Sequence, residues 1–369
     1  MAMLKKALIL LFLIFVATIM TISVAVYSQN TAQFIFDFND HMPEIIMVSF
    51  IVALIVKNLG VFEPKKKPQT AANLHIDAAD IINGAELAAL EKQRQELNKL
   101  IKKATFISIG VAGCIAAAMS KFFDMFWGIA SGFMVYGLVY AVMTSAKMRE
   151  FSSNFKTKIT KSIVRDFGLS YNEKGSLSIN DFFEIYDCEV DEYYGEDLIS
   201  GEVEGVNVKF SDFCAIDIVK TQKNTRRITR FEGILFAADF NKRLNSVTYI
   251  CHKDSSYLIK DGERAKMDNV EFERFYDVYT SDQINARYAL TPNLMQQILA
   301  LQAGFDCPVN IVLSKSKILM AIDKRENSFE PDLNVPLTDN GAIRGYIAEI
   351  ASFVAIVKEL NLNRKIWKI

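Results

Sequence analysis

The adjacent thiol and imidazole of Cys251 and His252 are the first candidates for chemistry in this sequence. A cysteine nucleophile needs a base within hydrogen-bond reach to form its thiolate. Here the two residues follow one another in an alternating segment that predicts a β-strand, and neighbouring strand residues point to opposite faces. They therefore cannot form a nucleophile and base pair, and no catalytic residue is predicted.

Metal and cofactor sites are also disfavoured by the residue types present. The chain has three histidines, and its five cysteines form no Cys-x-x-Cys pair. A zinc centre usually gathers several such ligands, and an EF-hand spaces its acids in a pattern that is absent here. The glycine-rich loops that hold nucleotide phosphates are also absent. We expect reduced cysteines, as in a reducing compartment, with no metal and no cofactor.

Two charge runs lie in the second half of the chain. The acidic run predicts a solvated face, with docking to a basic partner or to the protein's own basic helix as the alternative. The basic run Lys223 to Arg230 predicts an exposed loop and strand edge, or a contact with anionic lipid or with the acidic run. The acidic residues are Asp181, Glu184, Asp187, Glu189, Asp191, Glu192, Glu196, Asp197, Glu202 and Glu204.

Six polar residues form the candidate ligand or partner site. Turn, capping and ion-pair roles are the alternative for several of them. The six are Asp239, Asn241, Lys242, Asp282, Arg287 and Tyr288.

Long apolar runs in the first half of the chain predict four membrane helices arranged as two hairpins. Crossing the bilayer takes roughly 20 apolar residues. Residues 1–62 form the first hairpin, with helices at about 7–27 and 43–62, and residues 104–145 form the second. Recurring small residues, among them Gly110, Gly113, Gly128 and Gly132, favour close helix packing in lipid.

Lysine and arginine accumulate on one side of these predicted helices. Residues 28–42 contain neither, whereas Lys102, Lys103, Lys147 and Arg149 lie at the other ends. Positive residues accumulate on the cytoplasmic side. The sequence therefore predicts a multi-pass protein of the bacterial cytoplasmic (inner) membrane with both termini in the cytoplasm.

Two amphipathic helices connect the membrane helices to the rest. Residues 63–103 are predicted as a cytoplasmic linker and helix that packs on the protein's own domain, or forms a short coiled coil. Residues 146–168 are predicted as a basic juxtamembrane helix whose apolar stripe docks on that domain or whose cations contact lipid. The candidate lipid contacts are Lys156, Lys158, Lys161 and Arg165.

Residues 169–369 are predicted as a cytoplasmic α+β domain of mainly antiparallel strands with a C-terminal helix. Alternation predicts a hairpin around Glu204 and Gly205, a second from the strand at 234–240 back through 247–251, and a third around residues 314–316. Thr291 and Pro292 predict a helix start, and residues 342–360 predict the closing helix.

Ordered sequence pieces resemble an uncharacterised bacterial family of membrane-anchored proteins of unknown function, labelled galanin-like in automatic naming. The resemblance covers about residues 85–369 and implies one membrane hairpin joined to a soluble domain, without an established activity. The pieces are Phe231 to Lys242, Tyr194 to Asp197, Val278 to Gln283, Ala286 to Tyr288, Leu290 to Pro292, Ser328 to Pro331, and Leu360 to Trp367.

Together these patterns predict a membrane-tethered, non-catalytic module whose cytoplasmic domain binds a protein partner or the anionic lipid surface. The alternative is a membrane-bound enzyme of unrecognised type acting on a lipid or peptide. The expected partners are membrane lipid and a protein, which could be a second copy of this chain. The net charge of −1 argues against nucleic acid.

Overall fold

The computed structural model describes residues 84–122, 125–220, 225–240, 244–338, 340–360 and 362. Its described part begins with helix α1, Gly84–Phe122, and helix α2, Met125–Phe155. A π-helical turn, Lys156–Thr160, and the short helix α3, Lys161–Asp166, continue α2 without a loop.

The prediction of four membrane helices in two hairpins is wrong. Two helical stretches, Gly84–Lys121 and Trp127–Asp166, are long and apolar enough to cross a membrane by length and composition. The predicted helices at 7–27 and 43–62 lie outside the described residues. The helices continue through positions 103/104 and 145/146, where no proline or other helix-breaking residue occurs, so each predicted amphipathic helix and the apolar stretch beside it form one element.

Part of the hairpin, Val111–Val135, belongs to a different compact unit from the rest of the described chain. A Cβ on Gly128 would lie 2.8 Å from the backbone oxygen of Ala116, and one on Gly132 would lie 3.0 Å from the Ala116 Cβ. These two glycines therefore allow close helix contact. Among the described residues, no atom lies within 4 Å of a Cβ placed on Gly110 or Gly113.

Large apolar side chains remain exposed along both helices. Phe106 is 77% exposed, Met134 79% and Val142 73%. Such continuous apolar exposure is atypical of a surface that faces water. It is what a surface in contact with lipid requires.

The second compact unit contains a sheet of nine strands among the described residues. Their order is β1-β2-β3-β4-β9-β8-β5-β7-β6, and all neighbouring strands are antiparallel. The strands are β1 Ser170–Asn172, β2 Glu192–Val203, β3 Val206–Lys220, β4 Thr225–Asp239, β5 Thr248–His252, β6 Glu263–Ala265, β7 Tyr276–Thr280, β8 Val309–Ser314 and β9 Lys317–Ile322. The helices of this domain are α4 Ile179–Phe183, α5 Val270–Phe275, α6 Gln283–Ala289, α7 Pro292–Phe305 and α8 Asn340–Glu359.

The predicted antiparallel α+β domain with a C-terminal helix is confirmed. The β2–β3 hairpin turns through Glu204 and Gly205, both at positive φ, where glycine carries no Cβ penalty. The β8–β9 hairpin and the start of α7 at Pro292 are also confirmed. The hairpin predicted between the strands at 234–240 and 247–251 is wrong, because β4 pairs with β3 and β9 while β5 pairs with β7 and β8.

Each face of the sheet has its own apolar core. One contains aromatic residues such as Phe210, Phe236 and Phe353, and the other contains Phe182, Phe213 and Phe231. The first core also takes in the domain-side ends of α1 and α2, which we call the helix roots: residues 84–103 and 147–155. The root residues buried there are Leu90, Leu97, Phe151 and Phe155.

The stripe predicted on residues 147–167 therefore docks on the protein's own domain. Arg94, which interrupts the apolar spacing of α1, is buried and donates to Glu91 and to the Leu333 carbonyl, 2.6 Å away. Glu91 in turn accepts from the Leu337 backbone N–H at 2.9 Å. The polar side chains of this root thus bind the loop that precedes α8.

Candidate functional site: a buried lysine among carboxylates

A lysine enters the domain where α2 ends. Phe155 and Ile159 lie one helical turn apart, and both are fully buried. Lys156, the first residue of the π turn, is carried inward with them, and its side chain is 4% exposed. π-helical turns often occur at functional positions in helices.

Three carboxylates surround the Lys156 ammonium. Its Nζ lies 2.7 Å from Glu330 Oε1, 2.8 Å from Asp197 Oδ2 and 3.2 Å from Glu196 Oε2. Burial alone would lower the pKa of Lys156, but the bonds to Asp197 and Glu330 raise it above its ordinary value. The lysine is therefore a fixed cation, without the free electron pair that a nucleophile needs.

Asp197 is held in place by its backbone and by a tyrosine. The register between β2 and β3 shifts between Glu196 and Ile199, and Asp197 has a φ of 60°. Aspartate tolerates this conformation better than most residues. Tyr171 on β1 donates its hydroxyl to Asp197. Burial raises the pKa of Asp197 to about 6, against the effect of its bonds to Lys156 and Tyr171.

A second buried ion pair adjoins the first. Lys324 donates to Glu349 of α8 and to Ser328 Oγ, 2.8 Å away. The Ser328 backbone N–H donates to Asp212 Oδ1 at 3.1 Å, and Asp212 lies opposite Glu196 in the β2–β3 ladder. We call the whole set the buried charge cluster: Lys156, Tyr171, Glu196, Asp197, Asp212, Lys324, Ser328, Glu330 and Glu349.

The cluster contains more buried negative groups than positive ones. Asp197, Asp212 and Glu349 are each at most 6% exposed, and only Lys156 and Lys324 oppose them among its members. Burial raises the pKa of Asp212 well above its usual range. An isolated buried carboxylate takes up a proton more readily than one in water.

Three members of the cluster have the geometry of metal ligands. Oxygens of Glu196, Asp197 and Glu330 lie within 4.8 Å of one another. The Lys156 ammonium lies in bonding contact with all three, so a cation could bind only by displacing it. The arrangement stabilises an ion pair that joins the end of α2 to β2 and to the loop before α8.

The charge runs identified in the sequence contact each other within this domain. Glu196 and Asp197 bind the protein's own basic helix through Lys156. Arg227 Nη2 lies 2.6 Å from Glu192 Oε2, so the basic run touches the acidic run. Arg230 of the basic run pairs instead with Asp217 of β3, which is not part of the acidic run.

The candidate lipid contacts fall in different environments. Lys156 does not fit this role, because its side chain is buried and bound to three carboxylates. Lys158 is half-buried, and Lys161 and Arg165 are exposed.

The candidate ligand residues on β4 and α6 lie far apart. Asp239 accepts from Asn207 at 2.7 Å, and Asp282 caps α6 through the backbone N–H groups of Ile284 and Asn285. Asp239 ends β4, and Asp282 comes two residues after the end of β7. These two strands are four strand spacings apart, which is about 19 Å. They do not form one site, and Asn241 and Lys242 lie outside the described residues.

Arg287 lines a cavity of about 310 Å³ with Met267, Leu290, Pro292 and Met295. Its guanidinium donates to the Lys266 carbonyl at 3.3 Å. Tyr288, on the same short helix, is 45% exposed.

Cys251 and His252 face opposite sides of the sheet, as the alternation predicts. Cys251 belongs to the core that contains Phe182, whereas the His252 ring contacts Tyr276 of the other core. Burial raises the pKa of the Cys251 thiol to about 12.

Comparison with known proteins identifies a DUF3137 domain, described as a protein of unknown function, at residues 229–362. This range begins in β4 and extends past α8, and is narrower than the predicted 85–369. The description carries no galanin-like label. No curated protein matches the chain. A crystal structure of the mycobacterial trehalose monomycolate transport factor A, TtfA, is similar at 13% identity and a TM-score of 0.31, covering 55% of this chain and 94% of that one.

Proposed function

We propose that this chain is a membrane-tethered, non-catalytic module that holds its sheet domain at the cytoplasmic face of the membrane, where the domain binds a partner. The observation that carries the proposal is the change of environment along α1 and α2. Each helix has a root buried in the domain core and continues without a break into a stretch with exposed apolar side chains.

The length and charge of the hairpin support two crossings. From Lys103 to Lys121 the helix rises about 27 Å, close to the thickness of the hydrocarbon core. Five cations lie at the roots, against Lys121 at the far end of α1; the five are Lys99, Lys102, Lys103, Lys147 and Arg149. This imbalance favours a cytoplasmic location for the roots.

The buried charge cluster supports a structural role for the junction. Its lysines are held as cations by carboxylates of the same chain, and its members join α2, β1, β2, β3 and α8. Such a network fixes the helix roots relative to the sheet. A tether of this kind keeps the domain in one orientation towards its partner.

Cysteine labelling tests the topology. In a chain whose five cysteines are replaced, Lys121→Cys reports on the turn and Lys209→Cys on the sheet; both positions are exposed. We expect a membrane-impermeant maleimide to label intact cells at position 121 and to label position 209 only after lysis. The reverse pattern would show the opposite orientation, and labelling of both in intact cells would show that the hairpin does not cross.

A further inference from the structure

Five exposed cations lie where the helix roots leave the domain. We call them the basic belt: Lys99, Lys102 and Lys103 on α1, and Lys147 and Arg149 on α2.

The two halves of the basic belt lie at one level. Asn154 Nδ2 donates to Gln93 Oε1 at 3.2 Å and so fixes the register of the antiparallel roots. Lys99 lies six residues beyond Gln93, and Met148 lies six residues beyond Asn154, a rise of about 9 Å on each helix away from the domain. Lys147 and Arg149 are the neighbours of Met148, so both helices present cations at the same height.

This level is the boundary between two environments. On the domain side of the belt, Leu97 and Phe151 are buried in the core. On the other side, Phe106 is 77% and Val142 is 73% exposed. The belt therefore lies between the water-facing domain and the apolar surface, at the height of lipid headgroups.

The charge of the belt is largely unbalanced. Lys147 pairs with Glu150 at 2.7 Å. Within the described part of the chain, the other four cations form no ion pair. Four such charges at the bilayer boundary match the net negative charge of anionic lipid headgroups, which zwitterionic headgroups lack.

We propose that the basic belt binds anionic lipid headgroups. This inference rests on the proposed membrane tether and adds the class of lipid that surrounds it. Each cation near an anionic surface contributes about fivefold in affinity. Preference for anionic over zwitterionic lipid should therefore fall by at least about tenfold when the four unpaired cations are neutralised.

Native mass spectrometry of the full chain, released from micelles containing equal phosphatidylglycerol and phosphatidylcholine, measures this preference. We expect the unmodified chain to retain phosphatidylglycerol selectively. The belt variant, Lys99→Gln with Lys102→Gln, Lys103→Gln and Arg149→Gln, should lose that selectivity. A matched control neutralises four exposed cations of the sheet domain, Lys174→Gln, Lys209→Gln, Lys266→Gln and Arg274→Gln, and should keep it.

Three results would refute lipid binding by the basic belt: no selectivity for phosphatidylglycerol in the unmodified chain, selectivity that survives in the belt variant, or an equal loss of selectivity in the belt variant and the control. Excess inorganic phosphate should leave the retained lipid unchanged, and displacement by phosphate would show a site for the free anion instead. Extraction of the unmodified chain from membranes by alkaline carbonate would refute the tether itself. That assay therefore distinguishes failure of the proposed function from failure of the belt.

Discussion

At the scale of single residues, Lys156 is the feature that links the end of α2 to the sheet. Its ammonium compensates Asp197, which has no exposed surface, and contacts Glu330 in the loop before α8. Removing one partner of a buried pair leaves the other charge uncompensated, whereas removing both can be nearly neutral.

We therefore expect Lys156→Met to destabilise the full chain by about 3–5 kcal/mol. Combining it with Asp197→Asn should recover much of that loss, because asparagine tolerates the positive φ and carries no charge. Reactivity of the buried Cys251 thiol during denaturation in detergent measures unfolding. The control Lys158→Met, at a half-buried position, should change stability by about 0.5 kcal/mol or less; an equal loss in both variants would contradict the role of the ion pair.

Asp197 also predicts a dependence on pH. Its pKa of about 6 in the folded chain exceeds the unfolded value of about 3.9, so the folded state binds more protons between these values. The stability it contributes is present below pH 4 and is lost as pH rises through about 6. Burial lowers the pKa of His252, so His252 makes stability rise as the pH rises. The Asp197→Asn variant keeps His252, so the difference between the two chains isolates the effect of Asp197.

From pH 7 to pH 5, we expect the unfolding free energy of the unmodified chain to rise relative to that of Asp197→Asn. Chemical denaturation at matched pH values measures the difference. A constant difference over this range would show that Asp197 does not titrate there.

The sequence identified several members of the buried charge cluster without grouping them. The sequence places Lys156 among the candidate lipid contacts, because four cations within ten residues beside an apolar stripe predict a basic amphipathic helix. The position of Lys156 beside Phe155, within an apolar stripe, is the sequence signal that could have indicated a buried lysine. Three other members come from separate parts of the chain: Tyr171 from β1, Lys324 from the segment after β9 and Glu349 from α8. Their proximity depends on strand order and on the placement of α8, which local patterns do not determine.

At the scale of elements, hairpins joined by short turns were predicted from alternation. Glu204 and Gly205 supply the turn between β2 and β3, and Ser314 to Ser316 the turn between β8 and β9. Pairing of β4 with β9 joins residues more than 70 positions apart, and no local pattern encodes it. The same reason explains the wrong pairing expected between 234–240 and 247–251.

The hairpin offers a direct test of helix packing. Gly128→Leu should destabilise it by about 1–3 kcal/mol, because the new side chain would overlap the backbone of Ala116 and the Cβ of Ser120. Gly137→Leu is the control, since a Cβ there meets no atom of the described part of the chain within 4 Å. Thermal aggregation of the two variants in detergent should separate them, and equal behaviour would contradict the close contact at Gly128.

At the scale of the whole molecule, the described residues combine a domain with buried apolar cores and two helices whose outer parts carry exposed apolar side chains. The apolar runs in the sequence predict the exposed parts. Local patterns do not predict that each helix also packs in the domain core, because the amphipathic and fully apolar patterns look like separate elements.

The same substitution should therefore have different effects along these helices. Leu90→Ala, at a fully buried root position, should destabilise the chain by about 2–5 kcal/mol. Leu138→Ala, at a position 63% exposed, should change stability in detergent by less than about 1 kcal/mol. Denaturation followed by Cys251 reactivity compares the two, and a larger effect at Leu138 would mean that the domain core does not include the helix root.

The π turn at Lys156–Thr160 determines how α2 is rotated about its own axis. Each helical residue advances the chain by about 100°, so shortening this segment by one residue would turn everything before it by that angle while Ile159 and Ile163 stay docked. Phe151 and Phe155 would then leave the core, and Arg149 would point in another direction. The length of one helical turn thus couples domain packing to the direction in which the exposed apolar side chains of α2 point.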